Sequence, residues 1–302
     1  MTSATANPTR PPPPTTLSRT VRSTVLREVA TYLGLVTLMV VGIALALPHA
    51  GAAVILTMPT PLIAVVLITF LRTPRGHRKE LWASFRLRHL GLRSWPIGFA
   101  AAAVLILAIP YGVAVLLGSA DLKPLSLSPG TWLNGSLDIV MLLAFITIMA
   151  ITEEIGWRGY MLPRMQTLVS RRRAALLVGF VHGLFHLPLI LMTTTYNSVG
   201  NRWIVAASFM LLLTAAGVFY AWLVARSGSL WPVAFAHSSV NTLLAGAGIV
   251  VVVSPTALAY TAGESGLVTM ACITALAAVL LVRGRCWDAS APLALPDEQR
   301  VA

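Results

Sequence analysis

Long, unbroken apolar runs constrain this chain more than any other feature. Eight of them approach spanning length, at roughly 28–47, 51–71, 96–117, 133–153, 174–193, 203–225, 231–253 and 265–282, against the ~20 residues a transmembrane helix needs. The runs are continuous rather than alternating, which predicts helices and not strands. Composition agrees: 57% of residues are hydrophobic, 11% are charged and mean hydropathy is +0.80, whereas soluble domains carry about 25% charged residues. Backbone polar groups find no partner in hydrocarbon, so each spanning element must satisfy its own. The expected fold is therefore all-α, a polytopic membrane protein of eight transmembrane helices. Pro59 and Pro61 fall inside the second run and predict a kink there.

Charge orients the helices. With a cytoplasmic N-terminus and all eight runs crossing, the inner segments hold twenty Lys and Arg residues and the outer loops only Lys123 and Arg202. This positive-inside bias places both termini in the cytoplasm and accounts for most of the net charge of +12. The expected organisation is a disordered, Pro-rich tail over 1–26, a membrane domain over 27–285 and a cytoplasmic tail over 286–302. Membrane lipid is the implied surroundings. Nucleic acid is excluded as a partner, because the basic residues are scattered over short loops with no aromatic-studded soluble module. Segment 77–93, with Leu81, Trp82 and Phe85 among Arg78, Lys79, Arg86 and Arg88, reads either as a helix on the inner leaflet or as a solvated basic loop. Cys272 and Cys286 stand alone and form no disulfide framework.

Ionisable groups inside the apolar runs carry the chemistry. A charge at the bilayer centre costs about 2.5–3.5 kcal/mol even on lenient scales, so Glu153, Glu154, His182, His186 and His237 need a reason. Glu154 and Arg158 are four apart and share a helical face as an ion pair, which leaves Glu153 free for chemistry. His182 and His186 are also four apart, a spacing that metal sites use. His237 and Asn241 share a face on the seventh run. Each piece alone has a structural explanation: charges ending a helix, satisfied core histidines, or an interhelical hydrogen bond. Together they offer carboxylate and imidazole to activate water, and imidazole and amide to hold an oxyanion. Glu153, His186 and His237 could equally hold a divalent metal such as zinc.

These pieces resemble the signature motifs of the CAAX-protease and bacteriocin-processing family, also called the abortive-infection family: E-E-x-x-x-R, then F-x-x-x-H, then H-x-x-x-N. The first is Glu153, Glu154 and Arg158, continued by Gly159-Tyr160-Met161-Leu162-Pro163. The second ends at His186, followed by Leu187-Pro188, and the third is His237 with Asn241. The resemblance covers about 133–253. It implies an intramembrane endopeptidase in which Glu153 and His186 activate water and His237 and Asn241 bind the oxyanion. Glu154 and Arg158 would hold the architecture, and the mechanism would be either metal-dependent or metal-free. One position departs: the family's aromatic residue is His182 here, a spacer, an extra ligand or a tuning group. The Arg- and Ala-rich, Lys-poor composition points to a bacterial inner membrane and to a membrane-associated peptide or protein as substrate. The alternatives are a proton- or ion-coupled transporter and a non-catalytic immunity or scaffold protein. An endopeptidase requires Glu153, His186 and His237 to converge.

Overall fold

In a computed structural model, residues 18–124 and 129–287 are described. Eight principal helices follow one another: α1 (Arg19–Ala46), α2 (Ala52–Leu71), α3 (Leu92–Leu116), α4 (Pro129–Glu154, continuing to Leu168), α5 (Arg171–Met192), α6 (Arg202–Ser227), α7 (Trp231–Gly246) and α8 (Leu267–Arg283). Pro59 breaks α2 between Thr57 and Thr60, where the sequence predicts the kink.

Six of the eight, α1 to α6, are long and apolar enough to cross a membrane, which corrects the expected count of eight. The other two have 16 and 17 residues. At 1.5 Å per residue they reach about 24 and 26 Å, short of a hydrocarbon core of about 30 Å. The seventh run is cut short at its end. Gly246 and Gly248 interrupt the helix, and Val251–Val253 (β2) pairs antiparallel with Ala120–Leu122 (β1). β-Branched residues favour the extended ribbon over another helical turn. This small sheet is the one departure from an all-α chain among the described residues.

Two further boundaries differ. Helix α1 begins at Arg19, not at residue 27. The Ser18 side chain caps it by accepting from the Val21 amide, and Val21, Val25, Val29 and Tyr32 extend a buried stripe beneath surface arginines. Charge on the outer face hides this turn from a hydropathy reading. At the other end Trp287 tucks back, donating Nε1–H to the Leu280 carbonyl at 2.7 Å. The remainder of both expected tails lies outside the described residues. The short helix Arg78–Ser84 buries Leu81, and Phe85 follows it into the core. Its apolar face is thus spent on the protein and not on the leaflet.

Helices α5 and α6 make the most extensive contact, α7 lies against α4 and α3, and α8 packs on α6. Gly179 and Gly217 permit the α5–α6 approach, since a Cβ on Gly217 would strike the Gly179 backbone. The connections collect at two ends. At one, the Thr194 amide donates to Pro48 O and the Ser254 amide to Ser119 O, beside the ribbon. At the other, Trp231 donates to Leu87 O, Ser229 to His89 O, and Arg171 and Arg172 to Cys286 O and Leu281 O. The basic segments gather at this second end, and Lys123 and Arg202 lie at the first. Leu38, Phe70, Leu116 and Val282 face outward, as expected of a bundle solvated by lipid.

Candidate active site

Helix α4 does not end at the Glu153–Glu154 pair. It runs on through a π-helical stretch, Ile155–Met161, whose seven residues are all buried. Gly156 permits this course: a Cβ there would collide with the Tyr32 hydroxyl and Pro61. The pair therefore sits inside the protein, with Glu153 and Glu154 at 2% and 0% exposure, and not at a solvated helix end. A π-stretch beside a buried carboxylate is the kind of irregularity that accompanies functional sites.

The ion pair read from the i, i+4 spacing is present. Arg158 Nη1 donates to Glu154 Oε1 at 3.2 Å, and its guanidinium lies 4.8 Å from the Tyr220 ring centroid. Glu154 does more than pair with arginine, because the same Oε1 lies 3.1 Å from His237 Nδ1. A carboxylate can only accept, so His237 carries a proton on Nδ1 and presents Nε2 away from Glu154. This is the carboxylate–histidine arrangement that orients imidazoles in catalytic centres.

Glu153 is not left free, contrary to the helical-wheel expectation. Its Oε2 lies 3.0 Å from His182 Nε2. His182 Nδ1 lies in turn 3.1 Å from Arg158 Nη1. Guanidinium only donates, so Nδ1 must accept and the imidazole proton must be on Nε2, pointing at Glu153. The residue without an assigned role in the sequence thus joins the two carboxylate systems. It also keeps the aromatic function of its position, stacking on Trp157 at 4.9 Å between centroids.

Glu153, His182 and His186 each offer a donor atom within 4.8 Å of the others. His237 lies outside that group; its ring centroid is 6.0 Å from that of His182. His186 is placed by rings rather than hydrogen bonds, against Phe209 at 5.1 Å and stacked on Tyr196 at 5.8 Å. Its Nδ1 is buried without a partner. Asn241 lies one turn beyond His237, half-buried, and among the described residues its amide makes no side-chain hydrogen bond. The three expected pieces therefore meet, with His182 at the junction.

The donor set fits a tetrahedral metal poorly. The cluster brings together Glu153, His182 and His186, not the Glu153, His186 and His237 expected from sequence. His182 can ligate only through a nitrogen free of its proton. One of its nitrogens accepts from Arg158, and the other carries the proton given to Glu153. That leaves two protein ligands where catalytic zinc sites use three.

Sequence reading missed three residues beside this cluster. Tyr196 donates its hydroxyl to Glu264 Oε2 at 3.2 Å, and Asn197 donates Nδ2 to the same oxygen at 3.0 Å. Glu264 was legible as a lone acid after an apolar run, but its partners lie 68 and 67 residues away.

A bundle of apolar helices enclosing a carboxylate–imidazole centre defines a polytopic membrane protein with a buried polar site. Residues 135–243 match the profile of the family described as type II CAAX prenyl endopeptidase Rce1-like. The chain is similar to the curated "CAAX prenyl protease 2" of Methanococcus maripaludis, with 26% identity over 187 residues, 58% of this chain. The match spans 65% of that relative's length.

Proposed function

We propose that this protein is an intramembrane endopeptidase that hydrolyses a peptide bond of a membrane-associated peptide or protein through a metal-free, glutamate-activated water. The observation that carries this reading is the buried convergence of Glu153, His182 and His186 within 4.8 Å. Glu153 Oε2 is engaged by His182, and Oε1 serves as general base. Water held between Glu153 Oε1 and His186 gives its proton to the carboxylate as its oxygen attacks the scissile carbonyl. The carbonyl electron pair moves onto oxygen, where the Nε2–H of His237, doubly protonated beside Glu154 before and after the step, and the Asn241 amide stabilise it. Glu154 supports the imidazolium form of His237 during this step. Collapse expels the amine, which takes the proton from Glu153.

The basic end of the bundle faces the cytoplasm by the positive-inside rule, in a bacterial inner membrane. The relative's name points to prenylated CAAX motifs. For this chain the substrate class is the broader one, a peptide presented at the membrane.

The test is cleavage of a quenched-fluorescent peptide library by purified wild type, Glu153→Ala and His186→Ala. Wild type should cut peptides that both variants leave intact. Equal cleavage by all three, or by none, overturns the reading.

A further inference from the structure

A second polar site lies next to the cluster. Glu264 lines a cavity of about 240 Å³ at the end of the bundle opposite the basic segments, together with Asn197, Ser198, Val199, Leu244 and Leu258. It is the only charged side chain among the lining residues. Tyr196 and Asn197 both bond its Oε2, and among the described residues no donor reaches Oε1. The two Lys and Arg side chains at this end are committed elsewhere: Lys123 donates to Gly248 O, and Arg202 to Ile190 O and Thr193 O. Glu264 is half-buried, and a carboxylate partly withdrawn from water without a cation is costly. This one is also oriented, by two donors, with an oxygen to spare.

We infer that the Glu264 cavity is a subsite for a lysine or arginine side chain of the substrate. The inference rests on the endopeptidase reading for its link to cleavage, but not for the cation site itself. One carboxylate oxygen cannot furnish the six or more ligands of a calcium or magnesium ion, and the cavity is much larger than an ion. Leu244, Leu258 and Val199 supply an apolar wall for the methylenes of a long basic side chain, whose head would meet Glu264. The cavity connects to the chemistry through one residue: the Tyr196 ring stacks on His186 while its hydroxyl holds Glu264. A basic residue seated there would place the neighbouring peptide bonds beside His186 and Glu153.

Two measurements test this, one independent of catalysis. In a background with Cys272→Ala and Cys286→Ala, Ser198→Cys places a thiol in the cavity; Val199→Cys serves if that protein does not fold. Rates of modification by 2-aminoethyl methanethiosulfonate and by its neutral methyl analogue are normalised to a free thiol. The cationic reagent should be favoured about tenfold, the scale of one charge-assisted contact, and Glu264→Gln should erase the advantage. In the second measurement, peptide pairs differing only in lysine against norleucine should show a lysine preference of similar size in wild type, lost in Glu264→Gln. A cationic advantage with no cleavage of any peptide upholds the cation site and overturns the endopeptidase reading. A flat thiol ratio with cleavage indifferent to lysine overturns the subsite and leaves that reading intact.

Discussion

His182 donates its Nε2 hydrogen to Glu153 Oε2 across 3.0 Å, and Arg158, at 3.1 Å from the other ring nitrogen, dictates that it does so. The proposed base thus has one oxygen occupied and oriented, and the other available. An aromatic residue at position 182 would stack on Trp157 equally well but could not make this bond.

His182 is therefore a positioning residue, and its substitution separates packing from orientation. His182→Phe should keep the thermal midpoint near wild type while lowering kcat by about 10- to 100-fold, the range for losing a hydrogen bond to a charged group. His182→Gln, which retains an N–H donor, should recover part of the loss. Equal activity of the Phe variant and wild type would remove His182 from the mechanism.

Arg158 is 2% exposed and sits between Glu154 and His182. Arg158→Met leaves Glu154 buried without its cation, and the expected cost is about 3–5 kcal/mol of stability, read from unfolding in detergent. Arg158→Lys should rescue little, since an ammonium cannot replace the flat guanidinium that reaches both partners and lies on the Tyr220 ring. Full rescue by lysine would show that charge alone is needed.

Because His182 has no free lone pair for a metal, peptidase activity should survive dialysis against EDTA or 1,10-phenanthroline. The purified protein should also hold far less than one zinc per chain by elemental analysis. Chelator-sensitive activity restored by stoichiometric zinc would require His182 to give up one of its two hydrogen bonds, and would overturn the metal-free assignment.

Glu264 makes a pH prediction. Burial pushes its carboxyl up, and the bonds from Asn197 and Tyr196 offset only part of the rise. A carboxyl raised on folding contributes stability that is fully present below its unfolded value of about 4.3 and is lost as pH climbs through the folded value. Wild type should lose thermal stability relative to Glu264→Gln as pH rises from about 4 to 7. Parallel curves for the two proteins would show that Glu264 is no more burdened in the fold than in the unfolded chain.

Local chemistry is legible in the order of the residues. Apolar runs announce membrane helices because hydrocarbon leaves a backbone no other choice, and charge separates the two ends of the bundle. The Glu154–Arg158 pair follows from helical spacing, and Glu153, His186 and His237 stand out because ionised groups are costly in lipid. Spacing could not reveal that α4 runs on past Glu154 as a π-helical stretch, since that depends on Tyr32 and Pro61 packing against Gly156. Nor could it show that α7 yields its last residues to a ribbon with Ala120–Leu122. The partners of Glu153 and Glu264 come from helices and loops 29 and 67–68 residues distant. Sequence by itself determined that this chain lives in a membrane and carries carboxylates and imidazoles there. Only the tertiary structure decided which oxygen meets which nitrogen, because hydrogen bonds are short and directional, and the chain distances between these groups leave their meeting to packing.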